Sequence, residues 1–293
     1  MTPTVIIIVG PTAVGKTAAA IRLAQRLNTR IISADSRQCF RELNIGVAKP
    51  SPEQLEAVHH YFINSHSITE EVSAATFEEL ALLWTAEIHR ESPVAVMVGG
   101  TGLYIRAFTN GLDAIPPVDQ SIRSHIRQHY EEQGIGWLQA EIQKYDPAYY
   151  AAGEILNPQR LMRALEVRMS TGQSILSFQN RQPQERPFQI KVIGLNLPRE
   201  QLNQRIHDRV DKMINEGLLA EVEGLLSYRA HNALQTVGYK ELFNYLDGNG
   251  TKEQAITAIK INTRQYAKRQ LTWFRRDLSI RWTDPATPLE TLL

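Results

Sequence analysis

The stretch that most constrains this chain runs over residues 5–17: five consecutive apolar residues, VIIIV, followed at once by GPTAVGKT. A short apolar run that feeds a glycine-rich turn and then a helical pattern reads as strand, loop and helix. That geometry aims several backbone N–H groups at one point, which is what a phosphate group needs. Gly10 and Gly15 let the loop wrap closely, with Pro11, Thr12, Ala13 and Val14 between them. Lys16 then sets an ammonium beside the outer phosphates and Thr17 offers its hydroxyl to a Mg²⁺, with a helix behind them to residue 26. The competing reading is a tight strand-to-helix turn with a surface lysine, and the flanking strand and helix speak against it.

Three further apolar runs, at residues 30–34, 94–98 and 190–197, alternate with helical stretches such as 77–90. Alternation of this kind predicts an α/β fold, a P-loop-type parallel sheet with helices on both faces. Ligands then sit outside the carboxyl ends of the strands, which singles out residues 10–17, 35–38 and 99–101. Between residues 113 and 187 the pattern changes to helical periods at 121–133, 137–144 and 158–171 with no strand-like run. The expected organisation is therefore a core over 1–112, a helical insertion over 113–187 and the rest of the core over 188–293, ending in a basic helix.

Composition matters chiefly through what it excludes. No apolar run reaches membrane-spanning length, and the chain enters a strand without a signal-type segment, so a cytoplasmic protein with no membrane partner is expected. One cysteine, Cys39, leaves no disulfide and no sulfur-based zinc site. The net charge of +1 hides an asymmetry: residues 252–276 hold seven basic residues against Glu253 alone, a local +6. Lys260, Arg264 and Lys268 follow at i, i+4 and i+8 on one helical stripe. The stripe is either a solvated face or a footprint for a polyanion.

Other candidates follow from position. Asp35, in ADSRQ at the mouth of the second strand, can take a proton or orient a nucleophile, or it can simply cap a turn. Thr101 sits among Gly99, Gly100 and Gly102, a turn open to close approach by a ligand. Arg205 and Arg209 lie one helical turn apart and can reach a single anion. His59 and His60 lack a metal-binding partner pattern. The chain has neither an NKxD-type guanine reader nor a strand ending in a metal-binding Asp, as many phosphate-loop hydrolases do.

Taken in order, GPTAVGKT, ADSRQCFRELNIGVAKP, VGGTGLYIRAF, NPQRLMRALEV, RIHDRVDKMINEGLLAEV, TVGYKE and YAKRQLTWFRR resemble the bacterial tRNA dimethylallyltransferase (tRNA isopentenyltransferase) family, over residues 5–276. The resemblance implies transfer of the dimethylallyl group of dimethylallyl diphosphate to N6 of adenosine 37, beside the anticodon of tRNA, with Mg²⁺ and release of diphosphate. The phosphates would then belong to a prenyl diphosphate. It further implies diphosphate contacts at residues 12–17, and tRNA contacts at Asp35, Ser36, Arg37, Gln38, Thr101, Arg123, Gln159, Arg160, Leu161, Met162, Arg163, Gln235 and Lys240. Partners would be the tRNA anticodon stem-loop and the prenyl donor, met by a monomer. Phe40 stands where the family usually has Tyr, and Val47 where it has Thr. Two rivals are a relative that prenylates free adenine nucleotides, which would not need the insertion, and a kinase, ATPase or RNA-binding module.

Overall fold

The computed structural model describes residues 2–179 and 182–292. In chain order the elements are β1 (Thr4–Val9), α1 (Lys16–Arg26), β2 (Ile31–Ala34), α2 (Pro52–Ala57), β3 (His60–Tyr61), α3 (Ala74–His89), β4 (Val94–Gly99) and α4 (Gly102–Asn110). There follow α5 (Gln120–Tyr145), α6 (Pro147–Ala152), α7 (Pro158–Thr171), β5 (Gln189–Leu195), α8 (Arg199–Asn215), α9 (Leu218–Gly224), α10 (Tyr239–Leu246), α11 (Lys252–Phe274) and β6 (Arg281–Thr283). The contacts divide the chain into one unit of residues 1–111 with 184–293 and a second of residues 112–183.

In the first unit the strands form one sheet in the order β3-β2-β4-β1-β5-β6, and every pairing is parallel. Because side chains alternate across a strand, β1 is apolar at every position for a reason: Val5, Ile7 and Val9 enter one core and Ile6 and Ile8 the other. The first core takes in Phe77 and Ala81 of α3, Tyr104 and Phe108 of α4, and Leu242 and Phe243 of α10. The second takes in Ala20, Leu23 and Ala24 of α1, Leu202 and Ile206 of α8 and Ala267 of α11. A sheet covered on both faces leaves its carboxyl edge as the open place for a ligand.

Two strands escape sequence patterning. β3 has two residues and β6 three, too short to show a period of two. Helix boundaries shift by a few residues, as frayed ends do: α1 begins at Lys16 and α3 at Ala74, where Ser73 caps the Thr76 N–H. Cys39 is fully buried in the first core.

The second unit is helical. The periods expected at 121–133 and 137–144 are the two arms of α5, which breaks at Gly134 (φ 73°, ψ −166°). α7 starts on Asn157, whose side chain accepts from the N–H groups of Gln159 and Arg160, with Pro158 in its first turn. It ends on Gly172 at φ 72°. Its core gathers Ile126, Leu138 and Ile142 of α5, Tyr149 of α6 and Leu161, Met162 and Leu165 of α7. Among the described residues no helix is long and apolar enough to cross a membrane.

Candidate active site

The loop after β1 has the shape the sequence demands. Gly10 sits at φ 143°, and a Cβ there would fall 2.5 Å from the carbonyl oxygen of Leu195 on β5, so only glycine permits this packing. The Lys16 ammonium donates to the Pro11 carbonyl oxygen at 2.8 Å. Burial pushes its pKa down to about 7, helped by the Arg209 charge and opposed by Asp35. A buried lysine with no carboxylate at ion-pair distance among the described residues is a cation waiting for an anion.

α8 brings both expected arginines to this loop. Arg209 donates to Thr12 Oγ1 at 3.2 Å and Arg205 to the Val14 carbonyl at 3.2 Å. They differ in what they face: Arg209 lines the cavity over the loop, together with Thr12, Lys16, Thr17 and Asp35, and Arg205 does not. This cradle cavity has a volume of about 740 Å³.

Asp35 serves both readings at once. Its Oδ1 accepts from the N–H groups of Arg37 (2.9 Å) and Gln38 (3.3 Å), a turn cap, while Oδ2 has no hydrogen-bond partner among the described residues. Thr101 Oγ1 accepts from the Ser36 N–H at 3.0 Å, so β2 and β4 fix the same turn. Asp35 also borders a second cavity of about 880 Å³, which shares Thr12, Val47, Ala48, Arg209 and Tyr266 with the first and adds Arg37, Gln235, Lys240 and Arg269. Two cavities thus meet at one carboxylate, with cations on the walls of both.

α11 supplies what the sequence did not flag. Gln270, buried, accepts from the Thr12 N–H through Oε1 at 2.8 Å and donates through Nε2 to the Gly100 carbonyl at 3.0 Å. A side chain at Gly100 would collide with that amide. Tyr266, one turn earlier, lines both cavities, and burial raises its phenol pKa. Glu221 of α9 is another long-range anchor: its carboxylate accepts from the N–H groups of Asn44, Ile45 and Gly46 and from the Tyr239 hydroxyl, setting the loop that carries Val47 and Ala48. An i, i+4 pair such as Tyr266 and Gln270 is the one trace of this in the sequence.

The remaining candidates divide. Lys260 is held by Asp211 of α8 at 2.6 Å, whereas Arg264 and Lys268 line a third cavity of about 980 Å³ with Arg199 and Arg275. In the helical unit Arg123 and Arg163 converge on the buried carboxylate of Glu166, at 3.6 and 3.4 Å. Leu161 and Met162 correct an expectation: both are buried in that unit's core, so Gln159, Arg160 and Arg163 are the side chains of that run open to a nucleic acid. Among the described residues no group of three or more His, Cys, Asp or Glu could hold a metal.

A family model described as IPP transferase matches residues 38–277. A tRNA dimethylallyltransferase of Christiangramia forsetii is 50% identical over 94% of this chain and 91% of its own length. The tRNA dimethylallyltransferase 1 of Bacteroides thetaiotaomicron is 47% identical over 99% of this chain and 94% of its own. Among solved structures, the tRNA isopentenylpyrophosphate transferase of Bacillus halodurans superposes with a TM-score of 0.70 at 39% identity, covering 97% of this chain and 90% of that one. A eukaryotic dimethylallyltransferase captured acting on tRNA gives a TM-score of 0.80 at 28% identity, over 97% and 74%.

Proposed function

The chain belongs to the IPP transferase family, and on that premise we propose that it transfers a dimethylallyl group from dimethylallyl diphosphate to N6 of adenosine 37 in the anticodon loop of tRNA. One observation carries the reading: Asp35 stands where the two cavities meet, one bearing a phosphate loop and the other opening past Arg37, Gln235, Lys240 and Arg269.

The donor's diphosphate lies on the loop amides after Thr12, whose own N–H is already given to Gln270. Lys16 and Arg209 neutralise the negative charge that grows on it as it leaves; Arg209 takes this part rather than Arg205 because it faces the cavity. The Thr17 hydroxyl is a hard oxygen donor on the cavity wall and would hold Mg²⁺, an ion that proteins bind through few ligands of their own. When bound, Mg²⁺ would add positive charge at the diphosphate.

Adenosine enters from the second cavity, its base out of the stack. Asp35, with one oxygen tied to its own turn, offers the other to the N6 amine. The N6 electron pair forms the bond to C1 of the donor, the C1–O bond breaks with its pair leaving on diphosphate, and the amine proton passes to Asp35. Thr101 keeps the 35–36 turn in place for this. Arg160 of the helical unit and Arg264 and Lys268 of α11 provide charge for the tRNA backbone, and Arg123 with Arg163 adds the one positive charge that Glu166 leaves uncancelled.

The test is single-turnover transfer with saturating dimethylallyl diphosphate, Mg²⁺ and unmodified tRNA, the products digested to nucleosides and weighed. Asp35→Asn should bind both substrates and lose about two to four orders of magnitude in the chemical step. A rate within a few-fold of wild type leaves Asp35 as a turn cap alone. AMP in place of tRNA should give no product; efficient transfer to AMP would favour the free-nucleotide reading.

A further inference from the structure

Where the two cavities meet, the residues lining both, besides Thr12, Asp35 and Arg209, are Val47, Ala48, Met213 and Tyr266. Among these described residues Tyr266 alone brings an aromatic ring to the junction. Its helix is fixed there: Gln270, one turn on, is tied to Thr12 and Gly100, and Ala267 between them is buried in the second core of the sheet unit. Burial, with the Asp35 charge acting in the same direction, holds the phenol's pKa above its ordinary value. The side chain is therefore neutral and brings no second base to the junction.

An aromatic face is electron-rich and attracts cations. This ring already meets one: the Arg269 guanidinium carbon lies over it, 5.9 Å from the centroid, at the outer limit of about 6 Å for such a contact. Arg269 lines the second cavity and not the first. The ring's border on the cradle cavity is left to another group.

The proposed transfer creates such a group. As the C1–O bond lengthens ahead of N6–C1 bond formation, positive charge spreads over C1 and C3 of the allyl system. Lys16 and Arg209 stabilise the departing diphosphate and do nothing for the carbon skeleton it leaves. A neutral, polarisable face can stabilise that skeleton without competing with the amine for C1, as a second oxygen nucleophile would. We propose that the Tyr266 ring is a further catalytic group, packing against the allylic carbons of the donor and stabilising the positive charge they carry in the transition state. The inference rests on the proposed transfer, with C1 of the donor standing at Asp35. Bonds and protons move as they do there: the N6 electron pair forms the bond to C1, the C1–O pair leaves on diphosphate, the amine proton passes to Asp35, and Tyr266 changes no bond. Because the allyl group is uncharged in the ground state, the ring contributes to rate and little to donor affinity.

Replacing Tyr266 by phenylalanine and then by mono-, di- and trifluorinated phenylalanines withdraws electron density from the ring face stepwise and hardly changes its shape. Single-turnover transfer with saturating dimethylallyl diphosphate, Mg²⁺ and unmodified tRNA reads the outcome. Tyr266→Phe should stay within about threefold of wild type, and the rate should then fall with each fluorine, about tenfold across the series, while donor and tRNA affinities hold within about twofold. Tyr266→Leu should lose about tenfold or more in the same step; where that variant does not fold, the near-isosteric fluorinated rings decide. A rate that stays flat across the fluorinated series overturns the proposal. So does a series whose loss lies in tRNA affinity, which would make the ring a stacking surface for the base. No transfer by the wild type would instead overturn the prenyl-transfer reading beneath it.

Discussion

Both units gather basic side chains, and they treat them in opposite ways. In the sheet unit Lys16, Arg205 and Arg209 rest on a carbonyl, a second carbonyl and a hydroxyl, with no carboxylate at ion-pair distance among the described residues. In the helical unit Arg123 and Arg163 share the carboxylate of Glu166. Neutral oxygens orient a cation without cancelling it, whereas a carboxylate cancels it and fixes a helix pair. The first arrangement gives up stability to keep charge available for a ligand; the second spends charge to hold α5 on α7.

The largest effect that could break this contrast is on the donor. Lys16→Met should lower kcat/KM for dimethylallyl diphosphate by about two to three orders of magnitude, and Arg209→Gln by a similar factor, both with tRNA affinity nearly intact. Arg205→Gln should cost far less. Equal losses at 205 and 209 would show that facing the cavity is not what matters. Since an unpaired buried cation is unfavourable, Lys16→Met should leave the unfolding temperature level or higher.

In the helical unit the signs reverse. Glu166→Gln should remove the charge that Arg123 and Arg163, each about a third exposed, share, at a cost of about 1 kcal/mol after solvent screening. Hydrogen exchange of α7 amides should rise about fivefold, and the donor KM should not move. A changed donor KM would mean that Glu166 does more than hold this helix pair.

Smaller, but specific to Lys16, is a proton count. With its pKa near 7 in the free protein, the group is largely neutral at pH 8, and diphosphate recharges it. Calorimetry in buffers of different ionisation enthalpy should show uptake approaching one proton per inorganic diphosphate at pH 8, fading by pH 6, relative to Lys16→Met. For stability the sign is the reverse of an ion pair's. The folded pKa lies below the ordinary lysine value of 10.5, so the cost of burying the charge is complete below about pH 7 and is relieved as pH rises toward 10.5.

The smallest effect concerns α11. Reversing Arg264 and Lys268 together should flatten the salt dependence of tRNA binding by about 1.5 in the log-log slope. Lys260→Gln should change it by less than about 0.5, because Asp211 already holds that ammonium. Equal slopes would restore the three-residue stripe as one surface.

The same contrast separates what the sequence made readable from what it did not. The loop of residues 10–17 was readable because its contacts are mostly local: a strand, two glycines and a helix within thirteen residues determine where the N–H groups point. Asp35 and Thr101 followed from the rule that strand ends meet at one edge. The positions of Gln270 and Glu221 were not, because each acts on backbone far away in the chain, Thr12 and Gly100 for one and residues 44–46 for the other. Periodicity showed that residues 252–274 are helical but not how the helix is rotated, so the basic stripe drew notice while Tyr266, Arg269 and Gln270 faced the cavities. Leu161 and Met162 lay within a matched motif, yet their apolar side chains serve the core.

Gln270 also carries a consequence for which replacements the fold can bear. Its amide needs an acceptor end for Thr12 and a donor end for Gly100, which aspartate and glutamate cannot both supply and asparagine is too short to span. The cradle is therefore clipped to the same helix that carries Arg269 toward the second cavity and Arg264 and Lys268 on another side. One side chain thus works as a rivet, joining the phosphate loop at Thr12, the turn at Gly100 and α11.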